Sequence, residues 1–451
     1  MKSHLTLRAA ILSLFTVLTA SMLFAQRSND IQFYRFYDQR GVNVFEAPKV
    51  DDKPFEGLQV RIGGAFAQQF QALSHSNNAN PKVGANYTQD LNKLYPISNG
   101  FNLATANLNL DVQLDDGIRV ALENYMSARH HNEFWVKGGY IQIDKLPMFN
   151  NTDWFDKYLR VKIGHFQPNY GDQQFRRTDN GNAIWNPFVG NYIMDAFATE
   201  IGSEVYAFLP GGLTVMGGLT AGLIKGDIDV PAEPLKKSPS IYLKAAYDKQ
   251  VNDDVRFRLS ASLLNNSNTV RNTIYSGDRT GSRFYLVMEP EYSLSGGVPA
   301  RNSATNKFTS GRFSPGLNNN ITAIQINPFV KFKGLELFGA FEVASGKNVK
   351  GGQWETDKRT VTQVAAEAVY RFLPREQMYI GAKYNQISGD LTVIDDERTI
   401  DRIELTAGWY TTKNLLLKVG YVNQNYNNFS KDDLFSEGNF KGAMIEAIIG
   451  F

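Results

Sequence analysis

The chain alternates apolar and polar residues within short segments. Residues 102–114 are the clearest case, because Ala, Leu or Val stands at every even position from 104 to 114 and polar residues stand between them. A period of two residues gives a segment one apolar and one polar face, which predicts a β-strand. Asp115-Asp116-Gly117 then predicts a turn, and the alternation resumes at Ile118.

Sixteen such segments follow one another, each of about 10 to 15 residues, which suits a tilted strand that crosses a bilayer. The predicted strands are residues 58–70, 102–114, 118–126, 134–146, 158–167, 199–209, 213–223, 240–249, 254–265, 321–332, 334–344, 359–373, 377–387, 399–410, 414–425 and 439–451.

Short and long connections alternate between these strands. Tight turns on one side and longer loops on the other are typical of outer-membrane barrels, whose short turns lie in the periplasm. The sequence therefore predicts an all-β fold, a transmembrane antiparallel β-barrel over residues 57–451. The long connections are residues 71–101, 168–198, 224–239, 266–320, 345–358, 388–398 and 426–438.

Residues 282–294 have the composition of one more strand. A seventeenth strand would end the chain on the external side, whereas single-chain bacterial barrels have an even number of strands. We therefore place residues 266–320 wholly in one external loop and predict sixteen strands. The position of residues 285–295 tests this choice.

Both ends of the chain indicate export to the bacterial outer membrane. Residues 1–25 combine Lys2 and Arg8 with an apolar stretch and a small residue, Ala25, which is typical of a secretory signal peptide. The last strand ends on Phe451. A terminal aromatic residue on an alternating strand resembles the signal that the barrel-assembly machinery binds. Between these ends, residues 26–56 form a predicted periplasmic segment whose aromatic residues dock on the rim.

Composition narrows the function. With 47 Lys and Arg against 45 Asp and Glu, the chain has no charge excess that would favour nucleic acid. The lack of cysteine excludes disulfides, thiolate metal sites and cysteine nucleophiles. His130 and His131 are adjacent and lack the spacing of a metal site, and no glycine motif for nucleotides follows a strand. We expect no enzymatic activity, metal or cofactor.

Several segments resemble a known family. Residues 57–73 (GLQVRIGGAFAQQFQAL), residues 158–167 (YLRVKIGHFQ) with the loop that follows, and the terminal Phe resemble the phosphate-selective porin O and P family. Residues 41–49 (GVNVFEAPK) resemble porin-type chains of the Bacteroidetes group. The resemblance implies a sixteen-stranded, often trimeric barrel with a basic constriction.

If the apolar face of each strand meets lipid, the polar face lines an aqueous lumen. Basic side chains in a narrow passage attract anions, and the alternative is a cross-strand network of opposite charges that braces the wall. The basic residues on the polar face are Arg61, Arg119, Arg160, Lys162, Lys244, Arg256, Arg258, Lys331, Arg371, Lys383, Arg402 and Lys418. The acidic residues are Asp111, Glu123, Glu204, Glu336, Glu342, Glu367, Glu404 and Glu446.

The loop of residues 168–198 is a candidate constriction. It carries Arg176 and Arg177 beside Asp172 and Asp179, together with several aromatic residues. If the loop folds into the lumen, the two arginines would bind an oxyanion through paired hydrogen bonds. The alternative is a solvated external loop.

The leading hypothesis is a porin, a passive diffusion channel for small hydrophilic solutes, with a preference for anions or phosphate still open. The alternative is a non-channel barrel, an adhesin or a barrel enzyme, that acts through the external loops 71–101 and 266–320. The expected partners are outer-membrane lipid, small solutes or anions, the assembly machinery and further copies of the chain in a homotrimer.

Overall fold

The computed structural model describes residues 30–50, 53–128, 134–223, 228, 236–269, 271–276, 283–303, 310–350, 353–391 and 397–451. The predicted signal peptide and His130-His131 lie outside the described residues. No helix in the described ranges is long and apolar enough to cross a membrane.

One sheet of seventeen strands contains the short strand Gly100–Phe101 and sixteen longer strands that form the wall. We number the wall strands in chain order. They are β1 Gln59–Ser76, β2 Thr105–Asp115, β3 Ile118–Ser127, β4 Phe134–Ile143, β5 Leu159–Phe166, β6 Glu200–Leu209, β7 Leu213–Thr220, β8 Ser240–Gln250, β9 Val255–Asn266, β10 Asn319–Phe332, β11 Leu335–Lys347, β12 Arg359–Phe372, β13 Met378–Gly389, β14 Arg398–Thr412, β15 Leu415–Asn427 and β16 Asn439–Gly450.

Helical structure is short. The described ranges hold the helix α1 at Asp153–Tyr158, between β4 and β5, and the 3-10 turns Gln39–Gly41, Gln173–Phe175 and Ile274–Ser276.

The wall is closed and antiparallel. Each strand pairs with the next along the chain, and β1 also pairs with β16 from Ala65↔Gly450 to Ser76↔Asn439. Residues 283–291 form no wall strand, and Tyr292–Ser295 pairs only with Val298–Arg301 in a separate hairpin. The prediction of a sixteen-stranded barrel is therefore confirmed.

The two faces of the wall differ in polarity as the alternation predicts. In β14, Ile403, Leu405 and Trp409 point outward and are 46–49% exposed, whereas Arg402 and Glu404 point inward and are 1% and 3% exposed. An outer apolar face suits lipid, and the polar groups of the backbone are satisfied by the closed sheet.

The lumen is largely filled by chain. The N-terminal segment, residues 30–50, lies in the periplasmic half, and most of its residues are buried or half-buried. The inward loop, residues 168–198, crosses the middle, and most of its residues are buried. The outer half contains the outer cluster, an apolar core to which the inward loop, the large external loop of residues 266–320 and the wall contribute. Its members include Leu73, Val189, Ile193, Met194, Ile274, Tyr275, Phe284, Val287, Met288, Ile321, Val361, Ile387, Ile400 and Phe440.

Candidate functional site: the lumen cavity and the inward loop

The inward loop is fixed to the wall by its main-chain carbonyl groups. Lys418 of β15 donates hydrogen bonds of 3.2, 3.0 and 3.0 Å to the carbonyl oxygens of Ala183, Asn186 and Phe188. Lys383 donates to the carbonyl oxygen of Gly190 at 2.9 Å. A loop without regular structure needs such partners, because buried carbonyl groups left without hydrogen bonds are costly.

The two predicted constriction arginines lie in this loop, and both are buried. Arg176 contacts Glu367 at 3.2 Å and Glu336 at 3.5 Å. Arg177 forms two parallel hydrogen bonds of 3.0 and 2.6 Å with the carboxylate of Asp195, within the loop itself. These pairs stabilise the folded loop, and the role of both arginines in binding an anion stays a prediction.

Part of the predicted basic lining binds the inward loop. Arg258 forms two hydrogen bonds of 2.8 Å with Asp172, and Arg402 donates to the carbonyl oxygen of Asn191 at 2.7 Å. Lys383 and Lys418 belong to the same group. Lys383 also pairs with Glu404 at 2.9 Å, and Lys418 with Glu446 at 2.7 Å, across neighbouring strands. These pairs favour the alternative of a cross-strand charge network at these two positions.

A second group of predicted positions contacts the N-terminal segment. Arg160 donates to the carbonyl oxygens of Ala47 and Pro48 at 2.8 and 3.1 Å. Arg256 donates to the carbonyl oxygen of Asn43 at 2.9 Å. The guanidinium group of Arg61 lies 5.3 Å from the ring centres of Tyr34 and Phe36. The segment thus enters the lumen and does more than dock on the rim.

The remaining predicted positions pair with neighbouring wall or turn residues. Arg119 contacts Asp111 at 2.7 Å, and Lys331 contacts Glu376 at 2.7 Å near the periplasmic turns. The ammonium group of Lys162 lies 3.9 Å from the carboxylate of Glu204.

Glu46 links the N-terminal segment to two basic residues of the wall, Lys244 and Arg258, which also contact Asp172 of the inward loop. Its carboxylate lies 2.9 Å from Arg258 and 3.2 Å from Lys244. Burial alone would raise the pKa of Glu46, but these two cations hold it below the ordinary value. The carboxylate therefore stays ionised inside the barrel at neutral pH.

A cavity of about 190 Å³ remains open between the inward loop, the N-terminal segment and the wall of β3 to β6. We call it the lumen cavity. Its lining holds six basic residues, Arg35, Arg119, Lys137, Arg160, Lys162 and Arg177. It holds three carboxylates, Glu46, Glu123 and Asp179.

Two of these basic residues, Arg35 and Lys137, were missed by the sequence prediction. Simple alternation puts Lys137 on the same face as Trp135 and Ile141, toward lipid. The register of β3 and β4 shifts between Glu123 and Asn124, so that Lys137 is the extra residue of a β-bulge. It turns inward to contact Glu123 at 3.1 Å and Asp179 at 2.6 Å.

A signal for Lys137 was present in the sequence. A lysine on the lipid face costs about 2–4 kcal/mol near the bilayer midplane. A lysine at a lipid-facing position of an otherwise regular strand thus indicates a bulge. Arg35 offered no comparable signal, because the segment that carries it has no periodic pattern.

No group of three or more His, Asp or Glu residues in the described part of the chain is arranged to hold a metal ion.

No protein-family model matches the sequence, and no curated protein matches it. The fold is similar to that of an anion-selective porin from Comamonas acidovorans, with a TM-score of 0.52, 11% identity, and 87% of this chain and 100% of that chain covered. The outer-membrane channel DcaP of Acinetobacter baumannii has a TM-score of 0.48 and 11% identity, with 88% and 99% covered. OprB of Pseudomonas putida has a TM-score of 0.48 and 12% identity, with 88% and 94% covered.

Similarity at such identities establishes the fold alone. Together with the apolar outer face and the charged interior, it defines a porin-like transmembrane β-barrel of the bacterial outer membrane. Membership of the phosphate-selective family remains a prediction.

Proposed function

We propose that this protein is a passive diffusion channel for small hydrophilic solutes and that it prefers anions. The observation that carries the proposal is the lining of the lumen cavity, where six basic residues face three carboxylates. Basic groups in a confined, low-dielectric passage raise the local concentration of anions and oppose the entry of cations.

The selectivity that we propose comes from the electrostatic field of the lumen cavity. Most of the basic side chains that line the cavity are held in place by contacts with other protein groups. Arg119, Lys137 and Arg160 each contact a carboxylate at 2.6 to 2.8 Å. Groups held in this way keep a fixed geometry while an ion passes. Of the two predicted constriction residues, Arg177 borders the lumen cavity, and Arg176 lies in a smaller pocket beside Tyr192 and Lys383.

Planar-bilayer recording tests the proposal. Purified protein, refolded in detergent and added to a lipid bilayer in KCl, should produce stepwise conductance. Because the lumen is largely filled, we expect small steps. If protein with the mobility of a folded barrel inserts and conducts nothing, the channel proposal is overturned.

The filled lumen also favours a second candidate, a non-channel barrel that acts through its external loops. The outer cluster leaves an apolar core where an open porin would hold water. Under this alternative, the intact folded protein gives no steps in the bilayer experiment.

The phosphate preference and the homotrimer belong to the same proposal, and their support is the resemblance to the porin family. Replacing KCl by potassium phosphate in the bilayer experiment tests the first. Cross-linking of the protein in intact outer membranes tests the second, since a trimer gives a band at three times the monomer mass.

A further inference from the structure

Most cations of the lumen cavity have their hydrogen bonds committed to the protein. Arg160 uses all three of its nitrogen atoms, with Asp144 at 2.8 Å and two main-chain carbonyl oxygens as acceptors. Arg177 is engaged by Asp195, and Lys137 by Glu123 and Asp179. An incoming anion would compete with a carboxylate at each of these three residues.

Arg35 of the N-terminal segment differs from these residues. Its Nε and Nη2 donate to the carbonyl oxygens of Gly41 and Phe175 at 2.8 to 3.1 Å. No carboxylate of the described residues lies within 4.0 Å of its nitrogen atoms, although the charge of Glu46 acts on it from farther away. The guanidinium group lies 3.6 Å from the ring centre of Trp185. Its Nη1 donates no hydrogen bond within the described residues and is not enclosed, so it stays available to the cavity.

Lys162 of β5 is the second cation with free donors. Its ammonium group lies 4.3 Å from the ring centres of Tyr140 and Phe166. The nearest carboxylate, that of Glu204, is 3.9 Å away and accepts hydrogen bonds of 2.6 Å from the main chain of Asn169 and from Tyr206. The ammonium group makes no hydrogen bond within the described residues and is not enclosed.

We infer that Arg35 and Lys162 form a binding subsite for a small oxyanion inside the lumen cavity. This inference rests on the proposed function and adds the residues that determine specificity. A guanidinium group presents directed donors that match the oxygen atoms of an oxyanion, and an ammonium group adds a compact charge. A single contact with each residue is weak enough to let the ion leave, as conduction requires.

The inference assigns a role to the N-terminal segment. A segment inserted through the periplasmic end contributes Arg35, and the wall contributes Lys162. Selection would then depend on a part of the chain that forms no part of the barrel sheet, and the fixed wall charges would supply only the general field.

The test uses inorganic phosphate as the probe and compares the wild-type barrel with Arg35→Gln and Lys162→Gln. Conductance in potassium phosphate should saturate with concentration in the wild type. Each substitution should raise the half-saturating concentration about tenfold, the change expected from losing one charge-assisted hydrogen bond. Arg375→Gln removes an exposed arginine at the periplasmic rim and should leave the value unchanged.

Arg35→Lys separates the loss of a donor from misfolding, because it keeps the positive charge. Its half-saturating phosphate concentration should lie between those of the wild type and Arg35→Gln. Before these measurements, every variant must migrate as a folded barrel when an unheated sample is run on a denaturing gel. Calorimetric titration of the full-length protein in detergent with phosphate supplies a readout that does not depend on conductance, and the same two substitutions should weaken the heat signal.

The outcomes separate the two proposals. Anion-selective conductance that never saturates with phosphate overturns the subsite and leaves the channel proposal intact. So does a half-saturating phosphate concentration that is the same in the wild type, Arg35→Gln and Lys162→Gln. Absence of conductance overturns the channel proposal. Phosphate binding that is lost in both variants would then still support the subsite.

Discussion

Tyr275 donates a hydrogen bond of 2.7 Å to the carboxylate of Glu342, and so joins the large external loop to strand β11 inside the lumen. Tyr170 of the inward loop donates to the same carboxylate oxygen at 2.9 Å. Gln325 and Gln363 also donate to the Glu342 carboxylate, at 3.1 and 3.3 Å. One wall carboxylate thus holds both loops that close the outer half of the lumen.

Tyr275→Phe should loosen this closure. Removing one hydrogen bond to a buried carboxylate costs about 1–3 kcal/mol, which shifts the loop toward states outside the lumen. We expect more frequent and larger conductance fluctuations in single-channel records. Tyr292→Phe, in the external hairpin, serves as the control, and equal records from both variants would show that the Glu342 contact does not govern closure.

The two arginines of the inward loop should differ in their effect on selectivity. Arg177 borders the lumen cavity and Arg176 does not, so Arg177→Gln should shift the reversal potential toward cations more than Arg176→Gln does. Arg176→Glu combined with Arg177→Glu should shift it furthest. An unchanged reversal potential in the double variant would remove the loop from the selectivity filter.

Lys418 should be a major contributor to stability. Its ammonium group lies 2.7 Å from Glu446, both side chains are fully buried, and it also holds three carbonyl groups of the inward loop. Breaking a buried pair by removing one partner costs about 3–5 kcal/mol.

Lys418→Met should therefore lower the temperature at which the folded barrel loses its gel mobility. The matched control is Lys431→Met, since Lys431 and Glu437 form an exposed pair and such pairs contribute about 0–1 kcal/mol. Equal shifts for both variants would contradict the assigned role of Lys418.

The N-terminal segment should obstruct the passage. Deleting residues 31–50 removes chain from the periplasmic half of the lumen and leaves all sixteen wall strands complete. We expect a larger single-channel conductance from a barrel that still shows folded mobility. Shortening the external hairpin Tyr292–Arg301 is the control. If the deletion leaves conductance unchanged, the segment does not lie in the conducting path.

The wall could be predicted from the sequence because each strand has an apolar and a polar environment on its two faces. Lipid outside and polar groups inside impose a period of two residues, and that period is visible in every predicted strand. The alternation failed at Lys137, where the bulge between β3 and β4 reverses which face a side chain occupies.

The contents of the lumen could not be predicted in the same way. The N-terminal segment and the inward loop have no periodic pattern, and their positions depend on contacts between distant parts of the chain. Lys418 and Ala183, for example, are 235 residues apart in the sequence. The position and the aromatic and arginine content of the loop suggested that it folds inward, but nothing local indicated that its arginines pair with Glu367 and Asp195.

The zero-current potential of the wild-type channel across a tenfold KCl gradient tests the central claim most directly. Net basic lining of the lumen cavity lets chloride move more easily than potassium, so the dilute side should become negative. A dilute side that becomes positive, with folded protein in the bilayer, would contradict the assignment of an anion-preferring channel.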